Sequence, residues 1–154
     1  MTGAAIEVGP ADPAAPGPAA LLAQRDLLMD ALFPPEDTHT LDAEELGRED
    51  VRFLAARDGA ATVGIGALAL RDGYGEVKSM FTAPQARGRG VADAILAALI
   101  ALARAEGLPL LRLETGPGLD AAHRLYARHG FAPCPAFGDY AESPASLFYE
   151  RRLD

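Results

Sequence analysis

The sequence is poor in residues that staple or anchor a chain. Its 154 residues include one cysteine, Cys134. An internal disulfide and a cysteine-built zinc cluster are therefore both excluded. No uninterrupted apolar run approaches the roughly 18–20 residues needed to cross a bilayer. The opening stretch, Met1 to Pro18, has little basic or strongly apolar character, so it is not expected to be a signal peptide. These absences point to the cytoplasm. Positive charge is also scarce: 14 Lys and Arg stand against 22 Asp and Glu, a net charge of −8. Nucleic acid is not expected as a general partner, because such binding relies on neutralising phosphates, and no membrane partner is expected. A local anion site stays compatible with this charge, since two arginines with helix N–H groups can hold a diphosphate on an acidic protein.

What is present is ordinary globular stock, 49% hydrophobic and 23% charged. The length suits one domain over residues 1–154, with disorder, if any, confined to residues 1–5. No internal repeat is found, and the Ala/Pro/Gly-rich stretch Gly9 to Ala20 reads as a loop entering a helix.

Apolar residues Leu22, Leu28, Met29, Leu32 and Phe33 recur at helical spacing from Ala19 to Phe33, until Pro34 and Pro35 stop the helix. Asp42 to Leu46 suits a short second helix. Val51–Arg57 and Thr62–Leu70 read as strands joined at Asp58-Gly59, with the next turn at Asp72-Gly73. Glu76–Thr82 alternates as a third strand, with Glu76, Lys78 and Met80 on one face and Val77, Ser79 and Phe81 on the other. The period then changes. Val91, Ile95, Leu99 and Leu102 line a helix widened by Ala92, Leu96 and Ile100, which ends at Gly107 and Pro109. Leu110–Thr115 is a further strand. Asp120 is expected to cap a helix over Ala121–His129 closed by Gly130, and Ser146–Leu153 ends the chain as a strand, with another short strand near Phe131. The order β, α, α, three strands, α, β, α, β predicts an α/β fold: a mixed sheet with helices on both faces.

The most informative stretch is Gln85-Ala86-Arg87-Gly88-Arg89-Gly90, which follows a strand and opens an apolar helix. Its glycines let the backbone approach a ligand, and the helix's first-turn N–H groups and dipole favour an anion. A Walker loop would need a Gly-Lys-Ser/Thr ending, and a Rossmann fingerprint a small residue where Asp93 stands. Gly64-Ile65-Gly66-Ala67-Leu68-Ala69 matches Gly-x-Gly-x-x-Ala, but it lies inside a strand and leaves no room for a helix.

The remaining pattern, Gln/Arg-x-x-Gly-x-Gly/Ala after a strand, resembles the coenzyme A diphosphate loop of the GNAT superfamily of acyl-CoA-dependent N-acyltransferases. Leu125-Tyr126-Ala127-Arg128-His129-Gly130-Phe131 is similar to that superfamily's Leu-Tyr-x-x-x-Gly-Phe segment and follows at the expected separation. The likeness runs from Ile6 to Leu153. Leu32–Pro35, His39–Asp42, Glu76–Met80, Leu113–Gly116, Cys134–Tyr140 and Ser146 resemble one bacterial subgroup. Leu119 stands where many members carry an Asn that often contacts the cofactor, and it has no amide to offer.

The resemblance implies a GNAT-type, mostly antiparallel sheet of six or seven strands. The parallel pair would be the strand ending at Thr82 and the strand Leu110–Thr115, diverging into a cleft. It implies acetyl-CoA as co-substrate without a metal, and direct transfer to the amine of a small-molecule acceptor. Met80, Phe81 and Thr82 would pair with pantetheine, and Gln85, Ala86, Arg87, Gly88, Arg89, Gly90, Val91 and Ala92 would wrap the diphosphate. Tyr126 would protonate the leaving thiolate. The base would be Glu76, Glu114 or water, with salt-bridging to Lys78 as the alternative role for Glu76. His39 and Asp42 would touch the acceptor, unless Asp42 caps a helix and His39 lies on the surface. His123 and His129 are expected to be surface or helix-capping residues, and Cys134 a small buried residue or a neighbour of the acceptor. A protein N-terminal or lysine acetyltransferase, a non-catalytic acyl-CoA sensor and a cofactor-free interaction domain are the rivals, and the protein would be a monomer or homodimer.

Gly88→Glu places bulk and negative charge in the glycine loop. Acetyl-CoA binding, read by isothermal titration, is expected to be lost; unchanged affinity would remove this loop from the account.

Overall fold

The structure is a computed structural model and describes residues 6–153; the expectation for residues 1–5 lies outside them. Seven strands form one sheet in the order β1-β2-β3-β4-β5-β7-β6. The strands are β1 (Glu7–Pro10), β2 (Val51–Asp58), β3 (Ala61–Leu70), β4 (Gly75–Thr82), β5 (Leu110–Thr115), β6 (Ala132–Pro133) and β7 (Leu147–Arg152). Only β4 and β5 pair in parallel; every other neighbour is antiparallel. The meander β2–β3–β4 thus stands as the hydrophobic pattern suggests, and the parallel pair as the resemblance implies. The helices are α1 (Pro16–Leu32), α2 (Ala43–Leu46), α3 (Val91–Ala105) and α4 (Asp120–Arg128).

The core is built on β3, which is buried from Val63 to Ala69. Gly64 and Gly66 present their missing side chains to Ile95 of α3, while α1 also packs on β3. A strand sealed on both faces reads as a continuous apolar run rather than an alternation. In α3, Val91, Ile95, Leu96, Leu99, Ile100 and Ala103 turn inward.

Three local expectations change. α1 begins earlier than its apolar spacing suggests; its buried face is Pro18, Leu21, Leu22 and Arg25, and Leu32, its last residue, is left half exposed. Asp120 is the first residue of α4, not its cap; Leu119 occupies the cap position without a side-chain bond. The alternation of β4 breaks at Ser79, whose φ is +58°. Ile65 pairs with Phe81 and Ala67 with Lys78, so Gly66 faces two residues, a β-bulge.

The absence of a side chain at Gly66 is a packing requirement. A Cβ there would lie 2.5 Å from Ile95 Cγ2 and 2.8 Å from Met80 Sδ. Gly66→Ala is expected to cost about 1–3 kcal/mol of stability by overpacking, measured as a shift in urea midpoint. Gly9→Ala, with nothing within 4 Å, is the control. Equal midpoints would show that α3 does not press on β3 at this point.

Candidate active site

The site begins where two strands part. β4 and β5 share a ladder only at Gly75–Leu111 and Glu76–Arg112. Beyond that, β5 is paired to β7 along its whole length, while β4 stays with β3 as far as Thr82. The bulge at Ser79 turns β4 away, and the gap holds a cleft of about 150 Å³. The outer half of β4 therefore shows unpaired backbone groups along one edge, which suits a ligand with amide groups of its own. Met80 lines the cleft, and Phe81 and Thr82 continue toward the loop.

Arg25 holds the bulge in place. Its side chain is buried, donates to Ser79 Oγ at 2.8 Å and to the Leu41 carbonyl at 2.9 Å, and pairs with Asp26. α1, the loop before α2 and β4 are thereby tied at one point. No motif flagged Arg25; the available signal was a charged residue at helical spacing from Pro18, Leu21 and Leu22.

The glycine loop follows β4. Residues Pro84–Ala86 make a 3₁₀ turn, and Gly88 and Gly90 both have φ of +79°. Gly90 caps α3 and supplies no side-chain bond to the first turn. Ala94 donates to the Gly90 carbonyl, so the N–H groups of Val91, Ala92 and Asp93 before it have no partner in the helix. Ala86 and Val91 bury their side chains and can offer only backbone, while Gln85 and Arg87 are exposed. Arg89 instead pairs with Asp58 at 2.9 Å, which ties the loop to the β2–β3 turn. The acidic Asp93 in the first turn is matched by His129 at 2.9 Å and Arg128 at 3.1 Å. The His129 hydrogen bond, opposed by partial burial and aided by Arg128, holds its carboxyl below the usual range.

Tyr126 and Glu114 both line the cleft, one from α4 and one from β5. Tyr126 is buried, packed by Phe131 and Tyr149, and its hydroxyl has no hydrogen bond among the described residues. Burial first, then the nearby Glu114 and Tyr149, push its pKa up to about 12. The Glu114 carboxyl is also raised, mainly by burial, against the pull of Ser146, His39 and Lys78.

Glu76 has a different setting. It is 3% exposed and does not line the cleft. Arg71 occupies Oε1 at 3.1 Å, while Oε2 accepts from the Tyr140 hydroxyl and lies 3.5 Å from Lys78 Nζ. Both oxygens are committed, so the expected Glu76 base gives way to the salt-bridged alternative. Lys78 Nζ also donates to the His39 carbonyl at 2.7 Å and to Tyr140 at 2.9 Å.

His39 lies at the mouth of the cleft, edge-on to the Tyr140 ring. Asp42 does not reach the cleft. It caps α2 in a capping box with Glu45, so its expected acceptor contact is replaced by its capping role. His123 touches the Gly116 carbonyl at 2.9 Å, and Leu119 lines the cleft. Cys134 lies outside it, with a thiol raised mainly by burial, which disfavours the thiolate form. Tyr140 was singled out only as the end of a resembling stretch; its tie to Glu76 spans 64 positions and has no local signature.

Among the described residues no group of three or more His, Cys, Asp or Glu is placed to hold a metal, and no helix is long and apolar enough to cross a membrane. The Acetyltransferase (GNAT) family matches residues 21–131. An IAA acetyltransferase of Azospirillum brasilense is 42% identical over 86% of this chain and 88% of its own. An uncharacterized N-acetyltransferase of Escherichia coli is 45% identical over 78% of this chain and 77% of its own. A solved Klebsiella pneumoniae protein assigned as an acyl-CoA N-acyltransferase superposes with a TM-score of 0.81 at 34% identity, covering 97% of this chain and 98% of that one. An Elizabethkingia anophelis GNAT acetyltransferase with acetyl-CoA bound shares the fold, with a TM-score of 0.69 at 17% identity over 96% of this chain and 98% of its own. With residues 21–131 matching that family, and relatives of 34–45% identity covering most of its length, this chain belongs to the GNAT acetyltransferase family.

Proposed function

We propose that the chain, acting as one acetyltransferase domain, transfers the acetyl group of acetyl-CoA directly to the amine of a small-molecule acceptor. The observation that carries this reading is that Glu114 and Tyr126 line the same cleft between the parted strands. The glycine loop supplies N–H groups for the diphosphate, and the free edge of β4 supplies partners for pantetheine. A volume of about 150 Å³ admits an amine and its nearest atoms, and the small-molecule acceptor is the simplest occupant of that size.

The chemistry follows from the two side chains. A primary alkylamine, which in water titrates near pH ~10 as a lysine side chain does, is mostly protonated at neutral pH. Glu114, more basic than an ordinary glutamate, takes a proton from the acceptor nitrogen directly or through one water. That nitrogen bonds to the acetyl carbonyl carbon, the carbon–sulfur bond breaks, and the second proton that the nitrogen loses as the amide forms passes through the Tyr126 hydroxyl or a water to the sulfur. Tyr126 donates its hydroxyl to the departing sulfur. A phenol near 12 facing a thiol of ordinary pKa, about 8.5, makes complete transfer uphill by roughly 5 kcal/mol. The hydrogen bond to the developing thiolate is therefore the main contribution, with the proton following as the thiol leaves. The unbonded Tyr126 hydroxyl favours this enzyme over a non-catalytic sensor, which has no use for a donor there.

Isothermal titration with acetyl-CoA, then thiol release over a panel of amines, tests the reading. IAA, the acceptor in the Azospirillum relative's name, joins the panel; release on IAA and on no amine would replace the amine reading. Tyr126→Phe is expected to keep acetyl-CoA affinity and lower kcat about 10- to 100-fold, the worth of one hydrogen bond to a charged group. A full-rate variant would show that another group or water serves the sulfur. For kcat/KM, the acidic limb of the pH profile is expected above the ordinary glutamate value of 4.5, because the Glu114 carboxyl is raised and its ionised form is the active one. In Glu114→Gln that limb should vanish; an unmoved limb would assign the base elsewhere.

A further inference from the structure

We infer that the acceptor is a primary amine whose body carries no carboxylate, so that the enzyme takes simple amines and rejects the corresponding α-amino acids. This rests on the amine-acetylating reading above and adds to it the substrate class.

The cleft is lined by two cations, Arg25 and Lys78, either of which could in principle clamp an acceptor carboxylate. Neither is available. Arg25 spends four of its five N–H groups on Asp26, Ser79 and Leu41. One N–H remains, which cannot form the two-pronged fork that makes arginine a carboxylate site. Lys78 has three N–H groups, directed at the His39 carbonyl, the Tyr140 hydroxyl and, more distantly, Glu76.

The carboxylates of the cleft are differently placed. Glu114 and Asp37 both line it and neither has an ion pair among the described residues. With their partners included, four carboxylates (Asp26, Glu76, Glu114, Asp37) face three cations (Arg25, Lys78, Arg71). Arg71, which would leave the Glu76 cluster positive, is a third exposed and does not line the cleft. The rest of the lining mixes apolar Met29, Phe33, Met80 and Leu119 with the hydroxyls of Thr38, Thr40 and Thr115, and Ser146, His39 and Lys78 act on Glu114 itself; none of these is a two-pronged donor for a carboxylate. An incoming ammonium meets Glu114; a carboxylate beside it would be desolvated against Glu114 with no fork to receive it. Like-charge juxtaposition at a buried site costs several kcal/mol.

The test compares kcat/KM for matched pairs of different size: ethylamine with alanine, isobutylamine with valine, phenethylamine with phenylalanine. The amino acid methyl esters restore a neutral body at greater bulk. The inference expects the amine to exceed the amino acid by at least about 100-fold, with the ester recovering most of the loss. Amino acids used as well as their amines would overturn it while leaving amine acetylation intact. Acetyl-CoA binding without release on any amine or ester would overturn both. A second variant probes the cause. Asp26→Asn changes a half-exposed residue outside the cleft and frees the Arg25 charge. It should at least halve the discrimination against amino acids; an unchanged ratio would overturn the role given to the pairing of Arg25.

Discussion

The separation of β4 from β5 depends on one bulge. A regular β4 would continue alongside β5, and the parallel ladder that stops after Glu76 and Arg112 would close the cleft. Ser79 prevents this by adopting φ of +58°, a conformation that costs a residue with a Cβ about 1–2 kcal/mol. The compensation comes from Arg25, whose bond to Ser79 Oγ fixes the bulge to α1. Burying a guanidinium is itself unfavourable unless its N–H groups are satisfied. Here four of the five are satisfied, by Asp26 and by the elements that must meet at the cleft, so the cation's requirements position the site. β5 needs no such device, because β7 takes its full length as a partner.

A second buried cluster lies beside the first. Glu76, Lys78, Arg71 and Tyr140 form a closed set of charge-assisted bonds, and Lys78 extends it to the His39 carbonyl. Buried ion pairs are poor evidence of stability, since desolvation offsets much of their attraction. Their consequence here is geometric. Three segments remote in the chain (the loop after α1, β4 and the segment before β7) are held by one lysine and one tyrosine. Burial, together with Glu76, drives the Tyr140 proton far above the usual range. The Tyr140 hydroxyl therefore keeps its proton and serves as a donor to Glu76.

These two clusters explain which parts of the site were legible in the sequence. The glycine loop and the Leu125–Phe131 segment are local patterns: the backbone they need is set by neighbouring residues, and both fall on the expected elements. The order of elements along the chain was legible for the same reason, since period and turn residues are local. Glu76 and Glu114 were indistinguishable as sequence, two glutamates on successive strands. Their difference lies in Arg71 and Tyr140, and a pairing across 64 positions leaves no spacing to read. Asp42 was ambiguous between capping and binding, and Glu45 three residues later resolves it. The bulge at Ser79 was hidden because simple alternation gives no sign of one extra residue, and Arg25 because an arginine on a helix usually points to water.

The cofactor loop shows how a chain of net charge −8 can present an anion site without a basic patch. Of its two arginines, one is turned to Asp58 and stiffens the loop; only Arg87 is left exposed without a side-chain bond. The acidic residue in the first turn of α3 is countered by Arg128 and His129 from the end of α4. On the proposed reading, what faces the diphosphate is mainly backbone: glycines in the left-handed region and the N–H groups of Val91, Ala92 and Asp93 that have no partner in the helix. Such donors are fixed by the fold, need no ordering on binding and are not cancelled by distant acidic residues as a diffuse positive field would be. The same clamp joins α3 to α4, the helix that carries Tyr126. The glycine loop and the Tyr126 hydroxyl, the partners proposed for the diphosphate and the sulfur, are thereby braced against each other through Asp93.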